Sequence, residues 1–202
     1  GKAMDVMHKE IMTPEKVQNV LENLTPIIDT NNVGIATDIV IEAVFEDLDV
    51  KSAVFEIIDK SCAEHTIIAT NTSSLSVNEL SKSTNRPERF IGLHFFYHPA
   101  KNRLVEIIPG DETSIKTLNR VEQFCKRIGK VPIICKDKPG FAVNRFFVPW
   151  LNEAVLILED NLGTPEQIDA IAREVFEIGM GPFALMNATG LPIALHSSDY
   201  LS

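Results

Sequence analysis

Two apolar runs, at 90–96 and 104–108 within RFIGLHFFYHPAKNRLVEIIP, leave this chain little freedom in how it folds. The polar, proline-containing segment between them is too short for the crossover that a parallel pair needs. The runs are therefore predicted to pair antiparallel, as a hairpin. With the turn centred near Ala100, His94 falls opposite Glu106, on the same face and within hydrogen-bonding reach. An imidazole backed by a carboxylate is a general base with its orienting partner. The same pair also occurs as a plain structural ion pair, and spacing alone leaves both open.

The surroundings of the hairpin predict a mostly parallel sheet. Thr13-Pro14 is an N-cap followed by proline at the first helical position, with Val17, Val20, Leu21 and Leu24 at helical spacing before Pro26. Residues 39–44 form an almost unbroken β-branched run, which suggests a strand covered on both faces. A helix carrying Val50, Val54, Ile57 and Ile58 on one face follows, then a second buried strand at 66–70 and a short helix at 77–81. After the hairpin, Ile115, Leu118, Val121, Cys125 and Ile128 mark another amphipathic helix, stopping at Gly129. One more strand follows at 131–135. The order β-α-β-α-β-β-α-β is that of an α/β domain.

The pattern changes after Lys138-Pro139-Gly140. A long helical stretch covers 141–160. Thr164-Pro165-Glu166-Gln167 nearly makes a capping box ahead of Ile168, Ile171, Val175 and Ile178, and Gly181-Pro182 opens a last helix through Met186. The boundary is set near Pro139, with an α/β part over 1–138 and an all-α part over 139–202. Residues 1–12 carry no cap and look like the tail of a helix whose beginning is absent.

The 202 residues carry a net charge of −9, which argues against nucleic acid as a partner. No apolar run approaches the roughly 18 residues of a membrane span. Cys62, Cys125 and Cys135 have no metal-ligand spacing and read as buried thiols in a reducing compartment. The cytoplasm is the default; an organelle matrix would need a targeting segment.

In an open parallel sheet, ligands bind at the carboxyl ends of the strands. Three such ends stand out: Ala43-Val44-Phe45-Glu46, Asn71-Thr72-Ser73-Ser74, and His94 with its successors. Taken singly, Glu46 is equally a solvated carboxylate at a helix start, and Asn-Thr-Ser-Ser a turn and cap. Their equivalent places in successive βα units favour function. Asn144, flanked by apolar residues in the first turn of the long helix, is either a structural amide or a substrate hydrogen-bonding group. Gly179-Met180-Gly181-Pro182-Phe183-Ala184 matches a dinucleotide fingerprint in letters only. A helix precedes it and proline follows its second glycine, so it is a helix break and restart.

Together the segments IEAVFEDLDVKSAVF, ATNTSSLSVNEL, RFIGLHFF, LVEIIPG, GKVPIICKDKPGFAVNR and IGMGPF resemble the L-3-hydroxyacyl-CoA dehydrogenase family of fatty-acid β-oxidation, from about Thr37 to Gly190. The resemblance implies a Rossmann-type NAD-binding domain followed by a helical domain used in homodimerisation, and an acyl-CoA substrate. It implies His94 as catalytic base, Glu106 as its carboxylate partner, and Ser73 and Asn144 as substrate-contacting residues. On the cofactor side it implies Ala43, Val44, Glu46 and Lys51, with Asn71 and Ser73 at the second strand end. No metal is implied.

The chain departs from the family pattern in two places. The family's opening strand, its G-x-G-x-x-G turn and its second strand are not found, so the expectation is a truncated Rossmann-type sheet with weakened NAD affinity. The helical part is likewise expected to be incomplete. The alternative function is then a non-catalytic module that serves in dimerisation or as a scaffold. Second, Tyr97-His98 follows Phe96 where the family usually has Asn-Pro, which alters a contact beside the catalytic position.

Overall fold

The structure, a computed structural model, describes residues 13–29, 34, 36–191, 195 and 198. Helix α1 spans Pro14–Glu22 and is capped by Thr13. Five strands then form one sheet in the order in which they occur: β1 Ile39–Glu42, β2 Ile67–Thr70, β3 Phe90–Phe95, β4 Leu104–Pro109 and β5 Val131–Ile134. β1, β2 and β3 are parallel, β3 and β4 form the antiparallel hairpin, and β5 is parallel to β4. Between them run α2 Leu48–Ser61, α3 Val77–Ser81 and α4 Ile115–Arg127, and afterwards come α5 Asn144–Glu159, α6 Pro165–Phe176 and α7 Pro182–Thr189.

Alternation along the strands sends side chains to two cores. On one face Ile68, Phe90 and Ile108 meet Phe55 and Ile58 of α2, Val77 and Leu80 of α3, and Phe141. On the other, Ile67, Ala69, Ile91, Leu93, Val105 and Ile107 meet Val121 and Cys125 of α4. Phe55 and Phe90 pack edge to face with centroids 4.8 Å apart. Each such buried ring contributes roughly 1.5–3 kcal/mol. Gly92 lets α3 approach the sheet, since a Cβ there would lie 2.8 Å from both Ile108 Cβ and Val77 Cγ2. Gly92→Ala is expected to destabilise the fold by about 1–3 kcal/mol through overpacking. An unchanged urea midpoint would contradict that.

The apolar faces differ from expectation in four helices and one strand. The buried stripe of α2 is Lys51, Phe55, Ile58 and Asp59, whereas Val50 is exposed. The stripe is rotated because two charged residues have buried partners, which a hydrophobic count cannot register. In α1 only Val17 is buried, while Val20 and Leu21 are exposed, as is Leu24 just past its end. In α4, Ile115 and Ile128 at the two ends are exposed, and Thr117 joins Val121 and Cys125 inside. α6 begins with the complete Thr164–Gln167 capping box and buries Ile168, but Ile171 and Val175 are exposed and Ile178 lies past its end. β1, the outermost strand of the sheet among the described residues, is only half covered, with Ile41 exposed. The long helix starts at Asn144, not at 141, since Gly140 and Phe141 turn the chain with positive φ. The segment 1–12, expected as a helix tail, lies outside the described residues.

Asp59 ties α2 to the segment before β3. It accepts hydrogen bonds from Thr84 Oγ1 (3.0 Å), Asn85 N (3.1 Å), Asn85 Nδ2 (2.8 Å) and Arg86 Nε (2.7 Å). Burial alone pushes its carboxyl up; the bonds from Asn85, Thr84 and Arg86 outweigh it and hold the group below the usual carboxylate range. The folded state therefore favours the ionised form. The stabilisation is complete above the unfolded value of about 4 and is lost as pH falls through the lower folded value. The stability gap between wild type and Asp59→Asn, read from urea unfolding, should be widest at neutral pH and close in acid. A gap independent of pH would refute this.

Candidate active site

The hairpin register pairs His94 with Glu106. His94 Nδ1 lies 2.8 Å from Glu106 Oε2, and both side chains are buried. A carboxylate can only accept, so Nδ1 carries the proton and Nε2 is left as the basic nitrogen. The other carboxylate oxygen, Oε1, accepts from Ala142 N (3.0 Å) and Val143 N (2.9 Å), with Cys135 Sγ at 3.6 Å. Those amides reach Glu106 because the chain turns at Gly140 and Phe141, with φ 71° and 46°. A left-handed aromatic residue is uncommon; here it brings the Phe141 ring to 5.9 Å from His94, with Phe96 at 4.5 Å on the imidazole as well. Burial pushes the Glu106 carboxyl up, but the hydrogen bonds from His94 and from the Val143 and Ala142 amides hold it below the usual range. Burial, followed by the neighbouring Glu106 charge and its hydrogen bond to the thiol, pushes Cys135 up to about 11.

A second polar cluster occupies the carboxyl ends of β1 and β2. Lys51 is buried, its Nζ 2.7 Å from Glu42 Oε1 and 3.1 Å from Glu46 Oε2. Glu42 also accepts from Val44 N (2.6 Å) and Thr70 Oγ1 (2.7 Å). Glu46 Oε1 gathers donors from the next strand end: Thr72 Oγ1 (2.5 Å), Ser73 N (2.8 Å), Ser73 Oγ (3.3 Å), Ser74 N (3.1 Å) and Ser74 Oγ (3.1 Å). Burial raises the Glu46 carboxyl; the Thr72 hydroxyl, the Lys51 charge and the Ser73 amide outweigh it, and the group is held low. It is thus not a solvated carboxylate at a helix start.

The structure brings the expected residues together as follows. Asn144, the first residue of α5, reaches Ser73 O with Nδ2 at 3.4 Å. The Asn71 side chain accepts from Phe95 N at 2.8 Å, next to His94. Ala43 and Val44 are exposed beside Glu46. The loop at 97–103 is held by Lys130, whose Nζ donates to Pro99 O and to Asn102 O. Tyr97, at the start of that loop, is largely exposed. Sequence reasoning passed over Glu42, Thr70, and the amides of Ala142 and Val143. A lone carboxylate inside a β-branched run was the available signal for Glu42.

The glycine pair at 179–181 holds no phosphate loop. Asp169 accepts from Phe183 N (2.8 Å) and Ala184 N (2.9 Å), which occupies the amides opening α7. A Cβ on Gly181 would lie 2.5 Å from Asp169 Cα, so glycine serves helix packing here.

Residues 2–138 match the family described as 3-hydroxyacyl-CoA dehydrogenase, NAD binding domain, and residues 140–202 match its C-terminal domain. The chain belongs to the 3-hydroxyacyl-CoA dehydrogenase family. Similar curated proteins include the mitochondrial hydroxyacyl-coenzyme A dehydrogenase of Sus scrofa, 44% identical over 88% of this chain and 56% of the relative. The 3-hydroxybutyryl-CoA dehydrogenase of Clostridioides difficile is 44% identical over 78% of this chain and 56% of that protein. The crystal structure of (S)-3-hydroxybutyryl-CoA dehydrogenase from Ralstonia eutropha superposes with a TM-score of 0.91 at 38% identity, covering 99% of this chain and 70% of that one. The chain thus spans little more than half the length of the curated relatives it matches.

The site residues fit one half of a nicotinamide dinucleotide. Glu46, an ionised acceptor fixed by Lys51 with its side chain 24% exposed, stands beside exposed Ala43, Val44 and Phe45. An acceptor next to exposed apolar surface suits ribose hydroxyls and a flat ring. Among the described residues no glycine-rich strand-to-helix turn offers a seat for a pyrophosphate. Among them, too, no cluster of His, Cys, Asp and Glu is arranged to hold a metal, and no helix is long and apolar enough to cross a membrane.

Proposed function

We propose that this protein oxidises L-3-hydroxyacyl-CoA to 3-ketoacyl-CoA with NAD, as in fatty-acid β-oxidation. The observation that carries this is the buried His94–Glu106 pair, 2.8 Å apart, at the carboxyl end of β3 in a chain of this family. Bound NAD supplies the hydride acceptor. His94 Nε2 takes the proton of the substrate's 3-hydroxyl as C3 is oxidised. Glu106 holds the imidazole in that tautomer and stabilises the imidazolium that forms. Ser73 and Asn144, themselves linked at 3.4 Å, hydrogen-bond the reacting oxygen or the thioester carbonyl and fix the substrate's pose. Glu46 and the backbone at Ala43 and Val44 receive the nicotinamide ribose, and Lys51 holds Glu46 in place.

The α/β part to residue 138 acts as the cofactor domain and the part from 139 as the substrate and dimerisation domain. Exposed apolar side chains on the helical part, among them Phe146, Ile171, Val175 and Phe176, support pairing with a second copy. Three unbridged thiols fit a reducing compartment, with the cytoplasm as the proposed one.

Calorimetry with a 3-ketoacyl-CoA in the presence of NADH tests the site. Binding should weaken by about fivefold or more in Ser73→Ala and in Asn144→Ala, the loss of one ordinary hydrogen bond each. Unchanged binding in both would remove these residues from the substrate's pose.

A further inference from the structure

Asn71 joins three strands at the edge where the two polar clusters meet. Its backbone N–H donates to Glu42 O of β1 at 2.9 Å, continuing the β1–β2 ladder past Thr70. The β2–β3 register reaches only as far as Thr70 opposite Gly92. Beyond it the Asn71 side chain takes over, and Oδ1 accepts from Phe95 N at 2.8 Å. The bonded amide belongs to the peptide that follows His94. A hydrogen bond on that peptide fixes its plane, and the plane constrains the direction in which the His94 side chain leaves the strand. On the other side, Glu106 fixes the ring through Nδ1. His94 is thus held from its backbone as well as from its imidazole.

Building on the dehydrogenase reading, we infer that Asn71 is a positioning residue for His94. It clamps the His94–Phe95 peptide by accepting from Phe95 N–H, while its own backbone N–H anchors it to the Glu42 carbonyl of β1. Misplacing a reacting group by about 1 Å can cost on the order of 10²-fold in rate. A clamp of this kind therefore acts on turnover, whereas a donor to the cofactor acts on cofactor affinity. Asn71→Ala removes the acceptor. Asn71→Asp keeps an oxygen in the same place, while it removes the amide donor and adds a negative charge.

The experiment pairs amide exchange with kinetics on the protein as its gene encodes it. In Asn71→Ala, hydrogen exchange at the Phe95 amide should accelerate about tenfold, the factor set by one hydrogen bond of typical strength. Turnover number should fall at least tenfold with NADH affinity unchanged. Asn71→Asp should keep Phe95 protected and recover most of the turnover. Unchanged exchange at Phe95 in Asn71→Ala overturns the clamp. So does a raised NADH dissociation constant with unaltered turnover, which would make Asn71 a cofactor donor. If wild type shows no turnover with any 3-hydroxyacyl-CoA, the dehydrogenase reading fails, while the exchange result still decides whether the clamp exists.

Discussion

His94→Gln is expected to lower 3-hydroxyacyl-CoA oxidation by about 10²–10⁴-fold, the usual contribution of a general base, while NADH affinity stays near that of wild type. Glutamine is close in size and can still hydrogen-bond to Glu106 Oε2, so the buried carboxylate keeps a donor. What is lost is the basic nitrogen that takes the hydroxyl proton. The cluster assigned to the nicotinamide side, Glu42, Glu46 and Lys51, contains no contact to His94 and should be unaffected. Steady-state kinetics with parallel NADH titration checks this. Turnover within a few-fold of wild type would remove His94 from its assigned role. A collapse of NADH affinity alongside turnover would mean that the substitution damages the fold.

Lys51→Met should cost about 3–5 kcal/mol of folding stability, because it leaves buried carboxylate charge without its counter-ion. Lys51 is 1% exposed, and its ammonium lies within 3.1 Å of both Glu42 and Glu46. Methionine fills much of the volume and supplies no charge. Glu42 would keep its bonds from Thr70 and Val44, and Glu46 its donors at 72–74, but the cluster would hold two negative charges with nothing opposing them. The double variant Lys51→Met with Glu42→Gln should recover a good part of the loss, since one uncompensated charge goes with it. Urea unfolding of the two proteins measures both effects. A single variant as stable as wild type would show that the ion pair adds nothing to the fold.

The hairpin was legible in the sequence for a geometric reason. A short connection forces antiparallel pairing, and pairing about Ala100 fixes His94 opposite Glu106 without any further information. The order of strands and helices was equally readable, because β-branched runs and helical spacing alternate cleanly. Less readable was anything that depends on a charge being buried. Lys51 and Asp59 line the inner stripe of α2, and a count of apolar residues rotates the helix away from them. Glu42 sits inside a run of Ile and Val and has no apolar signature at all, although it anchors Lys51, Thr70 and the Val44 amide. The approach of the helical part to the base was also hidden. It depends on left-handed backbone at Gly140 and Phe141, and the sequence marks only the glycine. Exposed apolar faces on α1 and α6 read as core-facing because periodicity reports a stripe but not what covers it.

The most direct test of the dehydrogenase account follows NADH absorbance after NAD and an L-3-hydroxyacyl-CoA are added to the protein as its gene encodes it, with His94→Gln run in parallel. Absorbance should rise with wild type at a rate that depends on both ligands, and should be nearly flat with the variant. An equal rise in both proteins, or no rise with wild type for any acyl chain length, would contradict it.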